Sequence, residues 1–148
     1  MATTVTATAL TVTITEAVSL NGNTYGNTTT KTTTVVGNAL QRIQAINTSE
    51  EDLLLFHSTA EAAGQVVGDN MKYLRLTNLD NTNYITVSFK TAAEHYSIKL
   101  ESGDSYVLMT NQMNAEGDVS IGSLEDMAKI TAMANGDLCD LEIFCVTE

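Results

Sequence analysis

From Thr3 to Thr15 threonine takes nearly every second position, alternating with Val5, Ala7 and Ala9 and then, one step out of phase, with Leu10, Val12 and Ile14. A period of two is the mark of a strand with two unlike faces, and the slip at Ala9–Leu10 predicts a bulge within one long strand. The segment from Asn21 to Asn27 is rich in Asn and Gly, which tolerate positive φ, and offers two places to reverse the chain before the Thr-rich run Thr28 to Val36. Together these segments predict an N-terminal hairpin arm over residues 1–36, with a sandwich over 37–148 completing one structural domain. Few large apolar groups stand in the Thr run, so it reads as an exposed arm or as an edge strand ordered against another subunit.

Strands are expected next over Leu40 to Asn47 and Asp52 to His57, separated by the polar turn Thr48 to Glu51. Helix competes at the first, because Leu40, Ile43 and Ile46 also share a helical face. Glu61 to Asp69 mixes Ala with Gly and reads as a loop. Met71 to Asn78, Asn83 to Phe89, His95 to Leu100 and Ser105 to Thr110 then form a regular run of short strands with polar turns between them, the rhythm of an antiparallel meander or sandwich. Ser123 to Asp126 has the Ser-x-x-acid pattern of a helix start and predicts one helical turn. Asn135-Gly136-Asp137 signals a tight hairpin into the final strand, where Cys139, Leu141, Ile143 and Cys145 share the face expected to be buried. The expected fold is therefore all-β, an antiparallel β-sandwich or jelly-roll-like barrel with at most short helices.

Composition narrows the function. Thr supplies 23 of 148 residues and Pro none, so turns rest on Asn, Asp, Gly and Ser. A formal charge of −11 repels phosphate backbones and anionic membranes, which argues against direct nucleic-acid or membrane partners. The longest apolar run, Leu53 to Phe56, is far short of the ~20 residues a spanning helix needs. Met1 to Leu10 has neither a basic nor an apolar leader region, so cytosolic synthesis is expected.

Candidate chemistry is sparse. Cys139 and Cys145 lie six apart in one predicted strand, about 20 Å at ~3.3 Å per residue, too far to pair, and read as buried thiols. His57 and His95 belong to no HExxH, Cys-His or local triad pattern and read as strand-end or surface residues. Neither Gly-rich phosphate-loop motif occurs, so no nucleotide cofactor is expected. Acidic loops at Glu50 to Asp52, at Asp80 with Asn81 and Asn83, and at Asn114 to Asp118 could offer oxygen ligands to Ca²⁺, but none has EF-hand spacing, and solvated turns are the expectation. Asn27-Thr28-Thr29 and Asn47-Thr48-Ser49 match glycosylation sequons, common by chance in such a chain. No catalytic, cofactor-binding or metal-ligating residue is assigned.

Tyr73-Leu74-Arg75-Leu76-Thr77-Asn78-Leu79-Asp80, Tyr84-Ile85-Thr86-Val87, and Tyr96-Ser97-Ile98-Lys99-Leu100-Glu101-Ser102-Gly103-Asp104-Ser105 form a pattern that resembles small virion proteins of tailed bacteriophages. In these, a strand ending in Asn passes through a polar turn to a second strand, and a later apolar-x-Leu-x-x-Gly marks the next hairpin. The resemblance implies a non-enzymatic capsid decoration, cement or tail-associated protein, made in the host cytoplasm and located in the virion. It would contact the major capsid protein or another virion protein and neighbouring copies of itself. The same residues also fit general antiparallel grammar, with Asn78 closing a strand and Gly103 in a turn. The alternative is a carbohydrate- or ligand-binding sandwich, receptor-binding or lectin-like, disfavoured by the absence of Trp and 5% aromatic content. A homo-oligomer is expected, with the arm from Thr3 to Val36 adding strands to a neighbour.

Overall fold

The computed structural model describes residues 8–34, 37–57, 65–67, 71–115 and 122–148. It is all-β, with no helix among the described residues. The chain divides into two compact units, Met1–Gly37 and Asn38–Glu148.

In the first unit, β1 (Leu10–Thr15) pairs with β4 (Thr28–Thr33), and β2 (Val18–Leu20) pairs with β3 (Asn23–Tyr25), both antiparallel. Both ladders keep one register, so they are the base and tip of a single long hairpin. Asn21 and Gly22 close the tip with φ of 53° and 80°, the two positive values a two-residue hairpin turn requires. The second Gly-Asn pair does not reverse the chain. Gly26 instead sits at φ 121°, where a Cβ would lie 2.0 Å from the Glu16 carbonyl oxygen, and the strands stay joined there by Glu16 N–H donating to Asn27 O at 2.9 Å. Strand pairing starts at Leu10, with Thr8 and Ala9 outside it, so the expected bulge at Ala9–Leu10 is not formed: the phase slip falls where pairing begins. Thr3 to Ala7 and Val35 to Val36 lie outside the described residues.

The second unit is a two-sheet sandwich. One sheet is ordered β10 (His95–Leu100), β9 (Ile85–Lys90), β14 (Lys129–Ala134), β6 (Glu51–His57) and β7 (Gln65–Val67). The other is β11 (Ser105–Leu108), β8 (Met71–Asn78), β15 (Cys139–Thr147) and β5 (Asn38–Ile46). Two short strands, β12 (Gln112–Met113) and β13 (Glu125–Asp126), pair separately.

Alternation determines which side chains meet between the sheets. Leu74 and Leu76 of β8 and Leu141, Ile143 and Cys145 of β15 face Ile85, Val87 and Phe89 of β9 and Ile130 and Ala132 of β14, in one fully buried cluster. The phenyl ring of Phe89 lies 5.0 Å from the ring centre of Tyr96 and 5.2 Å from that of Tyr106. A register shift between Ile130 and Thr131 lets both Leu53 and Leu54 of β6 be buried, which reconciles the unbroken Leu run there with a strand.

Three further expectations are corrected and two open alternatives are decided. Residues 71 to 108 form strands as expected, and of the meander and the sandwich that their rhythm allowed the sandwich is formed, because β8 and β9 are consecutive in sequence yet lie in different sheets. Asn135 to Asp137 likewise carries the chain from one sheet to the other rather than closing a hairpin, since β14 and β15 are not paired. Ser123 starts no helical turn: Glu125 and Asp126 pair with Met113 and Gln112, and the Met127 and Ala128 N–H groups donate to Asn111 O and Lys90 O at 2.8 and 2.7 Å. Within the segment read as a loop, Gln65 to Val67 forms a parallel strand against β6; 61–64 and 68–69 lie outside the described residues. The helical alternative for Leu40 to Ile46 fails, because β5 pairs with β15 over its whole length.

Candidate functional site

The pattern that resembles virion proteins is a folding device. Asn78 is fully buried at the end of β8, and its Nδ2 donates to Asn83 O at 2.9 Å and Leu100 O at 3.1 Å while Oδ1 accepts from Asp80 N–H at 3.0 Å. Its main chain bonds Asp104 O and Gly103 N–H, each at 3.0 Å, and Gly103 takes φ 78°. One amide thus ties the end of β8 to the following loop, the end of β10 and the 101–104 turn. Such an arrangement positions strands and carries no reactive group.

The acidic loops are occupied by their own chain. Asp80 Oδ1 accepts the N–H groups of Asn83 at 2.6 Å and Thr82 at 2.7 Å, and these bonds hold its carboxyl below the usual carboxylate range. Glu50 accepts from Lys90 and, at 2.5 Å, from Thr131, the two bonds that lower its own pKa. Asp52 pairs with Lys129 at 3.0 Å. Of Asn114 to Asp118, only Asn114 and Ala115 lie among the described residues. No group of three potential metal ligands occurs among the described residues.

Cys139 and Cys145 are free and buried, and burial pushes the Cys145 thiol up to about 12 and raises that of Cys139. His57 ends β6, and its side chain lies outside the described residues. His95 begins β10, opposite Lys90, and borders a polar hollow of about 240 Å³ on the outer face of the larger sheet. Several of the hollow's groups bond one another, Ser88 Oγ to Ser97 Oγ at 2.6 Å and Thr131 to Glu50, and no Phe, Tyr or Trp ring is among its lining residues.

The surface that stands out is the hairpin. Opposed residues of an antiparallel pair share a face. One face carries Thr11, Thr13 and Thr15 against Thr32, Thr30 and Thr28, with hydroxyl oxygens 3.4, 3.2 and 3.2 Å apart. The other carries Leu10, Val12, Ile14, Val18, Leu20 and Tyr25. Ile14, Val18, Leu20 and Tyr25 remain 45, 57, 60 and 53% exposed. They form an exposed apolar stripe interrupted at Glu16 and Asn27.

Charge divides the same way. Residues 1–37 contain one Glu and one Lys, Glu16 and Lys31, so the arm is neutral and the whole −11 belongs to residues 38–148. The sequence reading missed the stripe by treating the Thr run and the Asn-Gly segment apart. Counting outward from Asn21-Gly22 in both directions would have assembled it. Comparison with family models and with curated proteins finds no match to this chain.

Proposed function

We propose that the protein is a non-enzymatic structural component of a tailed-bacteriophage virion, a capsid decoration or cement protein that braces the head through the major capsid protein and neighbouring copies of itself. The observation that carries the reading is the long hairpin with its exposed apolar stripe, a surface suited to being covered by other protein and unsuited to chemistry. The sandwich supports it: its polar clusters are internally bonded, Asn78 and Asp80 as struts and Glu50 within an ion pair. Repeated across a shell, an acidic body of this kind keeps copies soluble before assembly.

A sugar-binding module would have the polar hollow beside His95 as its site. No Phe, Tyr or Trp ring lines that hollow, and its Ser88 and Ser97 hydroxyls already bond each other.

The test uses shells assembled from a major capsid protein of the genome that encodes this chain. The full chain is expected to co-sediment with the shells at saturable occupancy and to raise their resistance to heat. The chain lacking residues up to Val36 is expected to lose occupancy at least tenfold. Absence of binding by the full chain at micromolar concentration would reject the virion reading.

A further inference from the structure

We propose that the apolar face of the hairpin is self-complementary and docks on the same face of a second copy, with the two hairpins running in opposite directions about a two-fold axis at Ile14. The pairing deepens the assembly reading above by naming the partner of the arm.

The argument starts from the order of side chains along that face. From tip to base the successive cross-strand pairs on it are Leu20 with Asn23, Val18 with Tyr25, Glu16 with Asn27, Ile14 with Thr29, Val12 with Lys31 and Leu10 with Thr33. Each step covers two residues, about 6.6 Å at ~3.3 Å per residue. Glu16 and Lys31 therefore lie about 13 Å apart along the ribbon, too far to pair within one hairpin. They also lie equally far from the Ile14 level, one on each side.

That symmetry is what a two-fold contact uses. An isologous interface places each position of one copy against its mirror position in the other. With the axis at Ile14 and across the strands, Ile14 meets Ile14. Glu16 meets the level of the partner's Val12 and Lys31, and Val18 with Tyr25 meet the level of Leu10. The Ile14 level faces itself and the Val18 and Leu10 levels face each other, while the levels between them set Glu16 and Asn27 against Val12 and Lys31. The arm's only two charges face opposite charges twice over, at a diagonal offset of one strand spacing, about 4.8 Å, which a lysine stem spans. Turning the second hairpin end for end brings Glu16 beside Glu16 and Lys31 beside Lys31, so charge selects the antiparallel arrangement.

Whole-molecule charge favours arm on arm as well. A second copy offers two surfaces, a body carrying all of the −11 and an arm carrying none. Arm-on-arm contact brings no net charge together, whereas two bodies in contact repel. The contact spans about 27 by 10 Å, from the Val18 level to the Leu10 level and two strands wide. That is small for a protein interface, so the pair is reversible and is separated by dilution.

Sedimentation velocity of the purified full chain from 1 to about 200 µM is the direct test. Wild type is expected to move from monomer to dimer across this range. Ile14→Lys, which sets two lysines face to face on the axis, is expected to remain monomeric. Glu16→Lys and Lys31→Glu alone are each expected to weaken dimerisation roughly tenfold, and the double swap to restore it to within about threefold. Rescue by the double swap cannot come from a misfolded hairpin, so the result stands even if Ile14→Lys unfolds the arm. Wild-type monomer throughout, a trimer or larger ring as the smallest assembly, single swaps without effect, or a double swap that stays weak would each overturn the pairing. The readout needs no shells, so failure here and failure of capsid binding are separate results.

Discussion

Gly26 meets a sharper steric demand than Gly22, Gly103 or Gly136, because its positive φ and the 2.0 Å approach to Glu16 O exclude any side chain. Gly26→Ala is expected to part the strands at that point and abolish the cross-strand nuclear Overhauser contact between Val18 and Tyr25, which wild type should show. Asn78 makes the corresponding demand in the sandwich. Asn78→Ala removes three hydrogen bonds, one of them buried and two part-buried, a loss of about 1–3 kcal/mol in denaturant unfolding. Asn78→Asp should not restore it, since a carboxylate offers no donor to Asn83 O or Leu100 O. The two thiols differ from both in being inert. With Cys145 pushed up to about 12 and Cys139 raised, neither is a thiolate near neutrality, so a disulfide-exchange reagent should label both only after unfolding. Fast labelling of the native protein at pH 8 would contradict the burial.

Strands were legible one at a time because burial on one side writes a period of two, visible in Ile85-Val87-Phe89 and Cys139-Leu141-Ile143-Cys145. Their partners were not. Leu79 to Tyr84 and Asn135 to Leu138 have the Asn, Asp and Gly content of hairpins but carry the chain across to the opposite sheet, since such residues encode a reversal and not its destination. Ser123 failed for a related reason: its cap pattern is local, whereas Lys129 to Ala134 gains ladders with both β9 and β6. At the candidate site, the Thr-rich face of the arm was legible from alternation alone, but the apolar face needed the register. Pairing across strands also sets a pH dependence. Glu142 accepts Gln41 Nε2 at 2.9 Å and pairs with Arg75 at 2.8 Å, which together hold its carboxyl below the usual range. A folded pKa below the unfolded one means stabilisation that is complete above the ordinary carboxylate range, about 4, and is lost as pH falls through the lower folded value. The melting temperature should therefore fall below about pH 4, and Glu142→Gln should reduce the slope of that fall.

For the whole molecule, the −11 charge is a cost to compactness that salt can relieve. Among the described residues, five of the seven cationic side chains are paired with carboxylates at the surface, Lys72, Arg75, Lys90, Lys99 and Lys129, and such pairs contribute little each. Screening should thus weaken more repulsion than attraction. Raising sodium chloride from 20 to 200 mM is expected to raise the melting temperature by a few degrees. A fall would show that the ion pairs outweigh the net charge.

The place of β15 between β8 and β5 also governs time. Neither neighbour can complete its ladder before β15 arrives, and the cross-strand bond from Gln41 to Glu142 joins residues 101 positions apart. Closing so long a loop before any ladder bond forms makes this the slow step of folding, on a scale of about milliseconds to seconds, whereas the hairpin closes locally within about 1–10 µs. Stopped-flow refolding should show the arm's signal complete within the dead time and the burial of Cys145 following as the slow phase. Until then the strands that β15 will join are exposed to other chains, so the refolding yield should fall as protein concentration rises.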